Sequence, residues 1–276
     1  MRRSRSDRVA ALAILAAASS AGCGDRAQPE PPPGPPPAVA APADPEPARS
    51  RPTGPIPFDP ATATAILEVR TLLRGEPPRM RPIRFDADAE CARQNPDPVL
   101  DPEVIVRDGR LANVIVWMSR GAERRSFAVP DAPVALEMAR CMFEPHVLTL
   151  GVGQPLSVAN NDPTLHHFHA VAQSNPEFLR RIERKERGVT IRFATEEVGI
   201  RFKCDVHGWM TARAGVFAHP FHGVTDDRGQ ALLRLPPGEF EVSVWHEYGA
   251  FTKPAPQVVT LVEDGTADLE FVFESR

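Results

Sequence analysis

Phe202-Lys203-Cys204-Asp205-Val206-His207-Gly208-Trp209-Met210 decides how the rest of this chain is read. Its last seven residues run from a thiol through an imidazole to a thioether, and a further imidazole, His166, stands 38 residues before Cys204 in Leu165-His166-His167-Phe168-His169. One thiolate, two imidazoles and a weak thioether suit a single copper ion that changes oxidation state, because the mixture fully satisfies neither Cu(I) nor Cu(II). Taken singly, the cysteine reads as apolar filler and each histidine as a surface residue. Their joint spacing, with His166 following the turn Asn160-Asn161-Asp162, points instead to a metal.

Working outward, short strand-like runs flank this stretch. Val147-Leu148-Thr149-Leu150, Leu156-Ser157-Val158-Ala159, Val189-Thr190-Ile191-Arg192-Phe193 and Ile200-Arg201-Phe202-Lys203 are apolar segments bounded by turn residues. Nearer the start, residues 65–72 alternate as a half-buried strand, and 104–106 and 113–118 read as two strands with a turn near Asp108-Gly109. Few segments are long and periodic enough for a helix. The expected fold class is therefore all-β, a sandwich of short strands. Strands ending near Asn160 and Lys203 would meet at one pole, where Cys204, His207 and Met210 come from one loop. On a strand through 166–169, His166 and Phe168 share one face and His167 and His169 the other.

The chain opens differently. Arg2, Arg3, Arg5 and Arg8 precede an apolar run at 9–18, the pattern of a secretory signal over 1–22. That run is far short of the ~20 residues that a membrane span needs. Ser20-Ala21-Gly22-Cys23 resembles a bacterial lipobox with serine in place of the usual leucine, which implies a lipid on Cys23; ordinary signal cleavage is the alternative. Residues 23–60 are proline-rich with almost nothing to bury, so a disordered, extended spacer is expected. Together these features predict an exported body, lipid-anchored at a bacterial membrane and facing the periplasm or the cell surface.

Removing 1–22, with four arginines and one aspartate, takes the formal charge from −4 to −7, which gives no support to nucleic-acid binding. The charge run at 180–187 mixes both signs and reads as a solvated loop or short helix, with a docking patch for an acidic partner as the alternative. Cysteine accounting adds a further expectation. With Cys23 lipidated and Cys204 on the metal, Cys91 and Cys141 remain, and an oxidising compartment would join them. Such a disulfide would close a loop of about 50 residues, worth roughly 4 kcal/mol in the chain-entropy account. Two buried thiols, or a second metal site at Cys141 and His146, are the competing readings.

From Phe143 to Phe217, about 75 of the 276 residues, the chain resembles the cupredoxins, and within them the amicyanin-like subgroup. The resemblance rests on residues 144–153, on Val158-Ala159-Asn160-Asn161-Asp162, on the 165–169 segment where the family tends to have Pro-His-Asn-Val-His, and on the short Cys-x-x-His-x-x-Met spacing. It implies a Greek-key β-sandwich holding one type 1 copper through His166, Cys204, His207 and Met210, with His169 as the fallback for the first histidine. Two departures stand out. His167 replaces the asparagine that usually follows the first ligand, and Gly208 stands where related sequences often carry proline, which loosens the ligand loop. Trp209 offers either an apolar shield or a partner-docking surface. Related sequences are sometimes called methylamine-utilisation-like, which would imply a quinoprotein dehydrogenase as electron donor.

Residues 224–247 resemble the end of a carboxypeptidase-regulatory-like, transthyretin-type β-sandwich, with an Asp-x-x-Gly turn at 226–229 and a Pro-Pro-Gly turn at 236–238 between three strands. The strands at 65–72 and 112–118 resemble the opening of such a module. The expected organisation is thus a cupredoxin domain, 132–218, inserted into a second small sandwich formed by 61–131 and 219–276. A sequential arrangement competes, and pairing of 65–72 or 112–118 with 240–246 distinguishes the two. The expected function is one-electron transfer between periplasmic redox partners such as a dehydrogenase and a cytochrome. A copper-binding carrier or sensor lipoprotein, or a non-redox structural one, is the alternative. Catalysis is not expected: the chain has no nucleophile elbow, phosphate loop or HExxH helix, and a four-ligand copper leaves no open position for substrate.

Overall fold

In Ala65–Arg74 the residues at odd positions up to 73 are buried and those between are half-exposed, the period-two signature of a strand with one face on a core. The structure, a computed structural model, describes residues 55–186 and 188–275. The expected signal at 1–22, the lipid site at Cys23 and most of the spacer therefore lie outside the described residues. The end of the spacer does not: Ile56–Pro57 pairs in parallel with Arg125–Ser126, and Phe58 packs against Phe127 and Phe221, so the folded body begins before residue 60.

The architecture is all-β, as expected, in two packed pairs of sheets. In the first pair, one sheet runs in the order Val189–Arg192, Pro155–Asn160, Val134–Ala139, Met142–Glu144. The facing sheet runs Phe178–Ile182, His166–Val171, Glu197–Lys203, Thr211–Phe217, Val147–Gly151. Between them lies a core that includes Leu136, Leu156, Phe168, Phe202 and Val216. Removing a fully buried aromatic such as Phe168 from a core of this kind typically costs about 3–5 kcal/mol.

In the second pair, one sheet runs His222–Val224, Ile115–Arg120, Gly238–Trp245, Gln257–Leu261. The other carries Gln230–Leu235, Ala65–Arg74, Arg110–Leu111 and Val106–Arg107, with Thr266–Glu274 also paired to Ala65–Arg74. Ile115–Arg120 pairs antiparallel with Gly238–Trp245, and Ala65–Arg74 with Gln230–Leu235. Chain from before residue 134 and chain from after residue 217 thus share both of these sheets. The turn at Pro236-Pro237-Gly238 joins strands of different sheets rather than closing a hairpin.

The two pairs touch through a small apolar cluster of Ile115, Val147 and Phe217 with Trp117, Val198, Val224 and Trp245 around it. Here Gly199 sits at a bulge with φ +86°, and a Cβ on it would lie 2.7 Å from the Trp245 ring, so both conformation and space require glycine. Beside this cluster Glu247 is buried and accepts from Arg213 Nε at 2.8 Å and from His146 Nε2, which joins the two sandwiches by charge as well as by packing.

Two local features refine the expected strands and a third, the charge run, corrects an expected loop or helix. The turn at Asp108-Gly109 joins only the two-residue strands Val106–Arg107 and Arg110–Leu111; Ile115–Arg120 belongs to the other sheet. The charge run begins as an edge strand, Phe178–Ile182, whose Ile182 faces inward while Arg180 and Arg181 remain outside. Charged side chains on an edge discourage pairing with other chains, which explains the arginines there without invoking a docked protein. Finally, a short helix, Ala89–Gln94, carries Cys91. At six residues it is too short to leave a periodic signal.

Candidate metal centre

Antiparallel pairing places His169 opposite Lys203, so Cys204, one residue further on, comes level with Phe168, and the backbone N–H of His167 beside it donates to Sγ at 3.3 Å. The loop that follows is closed twice. Cys204 N–H donates to the Met210 carbonyl at 3.1 Å, and Met210 N–H donates to the His207 carbonyl at 2.9 Å. Met210 then leads into Thr211–Phe217 and is fully buried.

His166, at the start of its strand, points inward as the strand period requires, and so do Phe168 and Ala170. Its Nδ1 lies 2.9 Å from Nδ1 of His207, which in turn is 3.7 Å from Cys204 Sγ. One donor atom from each of the three residues falls within 4.8 Å of the others, and all three side chains are buried. The two outer ring nitrogens are occupied: His166 Nε2 donates to Asp162 at 2.8 Å and His207 Nε2 donates to Asp88 at 3.1 Å. With Nε2 facing a carboxylate on both rings, both Nδ1 atoms turn toward one another beside Cys204 Sγ, where a cation would meet all three donor atoms.

Charge favours the same occupant. Burial pushes the Cys204 thiol up, but hydrogen bonds from His166, His207 and the His167 backbone outweigh it and bring the thiol down to about 5, so a thiolate is present at neutral pH. Burial pulls His166 and His207 down, yet Asp162 with Cys204 in the first case, and Cys204 with Asp88 in the second, raise both above the ordinary value. Asp88 is pushed up by burial but held below the usual carboxylate range by the backbone N–H groups of Cys91 and Glu90 and by His207. A thiolate and two carboxylates around two imidazoles make a pocket that fits a cation, and a soft sulfur with two imidazoles is a donor set suited to copper.

The structure brings His166, Cys204 and His207 together and buries Met210 at the end of their loop. His169 is elsewhere: its ring bonds to Asp205 at 2.8 Å and to Glu177 on the opposite face of the strand. His169→Ala is therefore expected to leave metal uptake unchanged, whereas His166→Ala should remove it, in a titration followed by metal analysis. Trp209 is not an open surface. Its ring, half-buried, packs edge-on against Phe85 and beside His207, and its Nε1 donates to the Cys141 carbonyl at 3.1 Å. Gly208 has open space around its Cβ position and no left-handed φ, so Gly208→Ala should fold and gain up to about 1 kcal/mol in thermal unfolding of the metal-free protein.

Cys91 and Cys141 form a disulfide with Cα atoms 5.6 Å apart. Although Asp88, Cys91 and His207, and likewise Cys141, Asp162 and His166, lie close enough to hold an ion, a disulfide sulfur offers no thiolate. The alternative site at Cys141 and His146 is not formed: His146 is engaged by Glu247 and by the Thr211 carbonyl. Asp88 and Asp162 are site residues that sequence reasoning missed. Asp162 was visible as the end of the Asn160-Asn161-Asp162 turn, four residues before His166. Asp88 gave only the weak signal of an acidic residue ahead of a short helix.

No family model matches the chain, and no curated protein matches it. Solved structures similar to part of it include a copper-containing nitrite reductase from Thermus scotoductus SA-01, at 22% identity over 38% of this chain and 26% of that one, TM-score 0.30. A mutant of amicyanin in its reduced Cu(I) form is 20% identical over 32% of this chain and 85% of that one, TM-score 0.28. A purple cupredoxin from Nitrosopumilus maritimus is 16% identical over 30% of this chain and 98% of that one, TM-score 0.26. The chain thus spans about a quarter of the nitrite reductase and most of the two smaller proteins.

Proposed function

We propose that this protein is an exported carrier of single electrons, with one copper ion held by His166, Cys204 and His207 and with Met210 as the weak thioether ligand. The observation that carries the reading is the convergence of Cys204 Sγ with the Nδ1 atoms of two buried imidazoles whose Nε2 atoms are each fixed by a carboxylate. When bound, copper supplies a one-electron couple. The chain's own residues hold the rest of the arrangement still: Asp162 and Asp88 fix both rings, the Cys204–Met210 backbone bonds fix the loop, and burial excludes water. A site so fixed changes little when charge is gained or lost, which favours transfer over catalysis.

In this reading, 132–218 form the cupredoxin domain, inserted into a second sandwich made by 61–131 and 219–276; a signal at 1–22 exports the chain, and a lipid on Cys23 tethers it to a bacterial membrane. Its partners would be a dehydrogenase or haem protein on one side and an acceptor on the other. The reading as a copper carrier is less favoured because such a protein must release its ion, and His166, Cys204, His207 and Met210 are all buried. Voltammetry of the copper-loaded full chain tests the choice. A reversible one-electron wave with slow loss of copper to a chelator is expected; an irreversible wave with rapid loss would favour the carrier.

A further inference from the structure

Residues 82–100 leave the second sandwich between Ala65–Arg74 and Val106–Arg107 and reach the pole of the first. The base of this excursion is tied by a bridge between Pro82 and Leu100 and by Ile83 N–H donating to the Val99 carbonyl at 2.8 Å. Its middle is tied by the Cys91–Cys141 disulfide, and its far end by Asn95 Nδ2 donating to the Arg140 carbonyl at 2.9 Å. Asp88 caps the helix with one oxygen, Oδ1, which accepts from the backbone N–H groups of Glu90 and Cys91. The other oxygen, Oδ2, is thereby aimed at His207 Nε2 at 3.1 Å, with Thr164 Oγ1 donating to it at 3.3 Å. The Cys91 sulfur lies 3.8 Å from the same ring nitrogen.

The result is unusual for a loop side chain. Val206 and Gly208 on either side of His207 are exposed, yet His207 itself is 2% exposed. Trp209 and His166 cover part of the ring, and the cover on its outer nitrogen, Asp88 and Cys91, comes from more than a hundred residues earlier in the chain.

We propose that residues 82–100 are a built-in cap of the metal pole, latched by the Cys91–Cys141 disulfide, in which Asp88 is the positioning residue for His207 and closes that ring's outer edge to solvent and to competing ligands. This rests on the reading of His207 as a metal ligand. Two consequences follow from the geometry. Exchange of the ion requires the cap to lift, and a redox partner cannot touch the His207 ring directly but meets the cap instead. The disulfide matters because Asp88 is only three residues from Cys91: with the latch cut, the carboxylate loses the anchor that aims it.

The test uses the full chain as wild type, D88N, D88A and C91S/C141S, loaded with Cu(I) and challenged with bathocuproine disulfonate. Groups that hydrogen-bond the outer nitrogen of a metal-bound histidine are typically worth about 10- to 100-fold in affinity, so D88A and C91S/C141S are expected to lose copper at least tenfold faster than wild type. D88N, which keeps an acceptor oxygen, should fall between. In the metal-free protein, the His207 Nε2–H should exchange slowly by NMR and be lost from the spectrum in D88A. Wild-type rates of loss in D88A together with an unchanged Nε2–H signal would overturn the proposal, and D88A alone is enough to do so if C91S/C141S does not fold. Failure of the wild type to take up copper would sink the proposed function while the metal-free NMR comparison still decides the cap.

Discussion

Replacing Cys204 by alanine is expected to abolish the intense visible absorption of the Cu(II)-loaded protein and to leave at most weak, readily chelated copper. Of the three residues that would hold the ion, Cys204 supplies the anionic donor, and it is held as a thiolate by hydrogen bonds that overcome the penalty of burial. Alanine removes the sulfur without disturbing its supports, because the Cys204 N–H still closes the loop on the Met210 carbonyl. Two imidazoles would remain, a donor set that binds copper less tightly and carries no thiolate charge-transfer band. The variant should therefore keep its fold by circular dichroism while losing its colour; an undiminished band in Cys204→Ala would mean that another sulfur binds the metal.

The second large effect lies away from the metal, at the junction of the sandwiches. Glu247→Ala is expected to cost about 3–5 kcal/mol, the usual consequence of removing one partner from a buried ion pair, because His146 and Arg213 both direct nitrogen atoms at this 3% exposed carboxylate. Burial pushes Glu247 up, but His146 and Arg213 more than offset it and hold the group below its ordinary value. A carboxylate whose folded-state pKa is depressed contributes stability that is present above its unfolded value and is lost as pH falls through the folded one. Denaturant midpoints of the wild type should accordingly fall more steeply in acid than those of Glu247→Gln, which cannot titrate there. Parallel acid profiles for the two proteins would remove Glu247 from the account.

How far the sequence could be read depended on the range of each interaction. Cys204, His207 and Met210 are neighbours, so their spacing alone set them on one loop. The inward face of His166 followed from strand period, since a two-residue alternation separates it from His167 and His169 whatever the surrounding fold. The short helix Ala89–Gln94 was not legible, because six residues carry less than two turns of pattern. Asp88 was hidden for a stronger reason: its role depends on residues 82–100 crossing from one sandwich to the pole of the other, and the cysteine count was the one clue that Cys91 lies near Cys141. The edge strand Phe178–Ile182 was obscured by its arginines, which protect an edge and also mimic a solvated loop. The Asp108-Gly109 turn was legible from its residues, but the sheet taken by the strand after it was not, since tight turns fix local geometry and leave the next partner open.

One thiolate and two imidazoles in this pocket are proposed to hold a redox-active copper ion. The most direct test is the visible spectrum of the metal-free full chain during stepwise addition of Cu(II), followed by a single addition of reductant. An intense band should rise to saturation at one copper per chain, bleach on reduction and return on reoxidation. A chain that takes up Cu(II) without an intense visible band, or whose band does not return, would contradict that assignment.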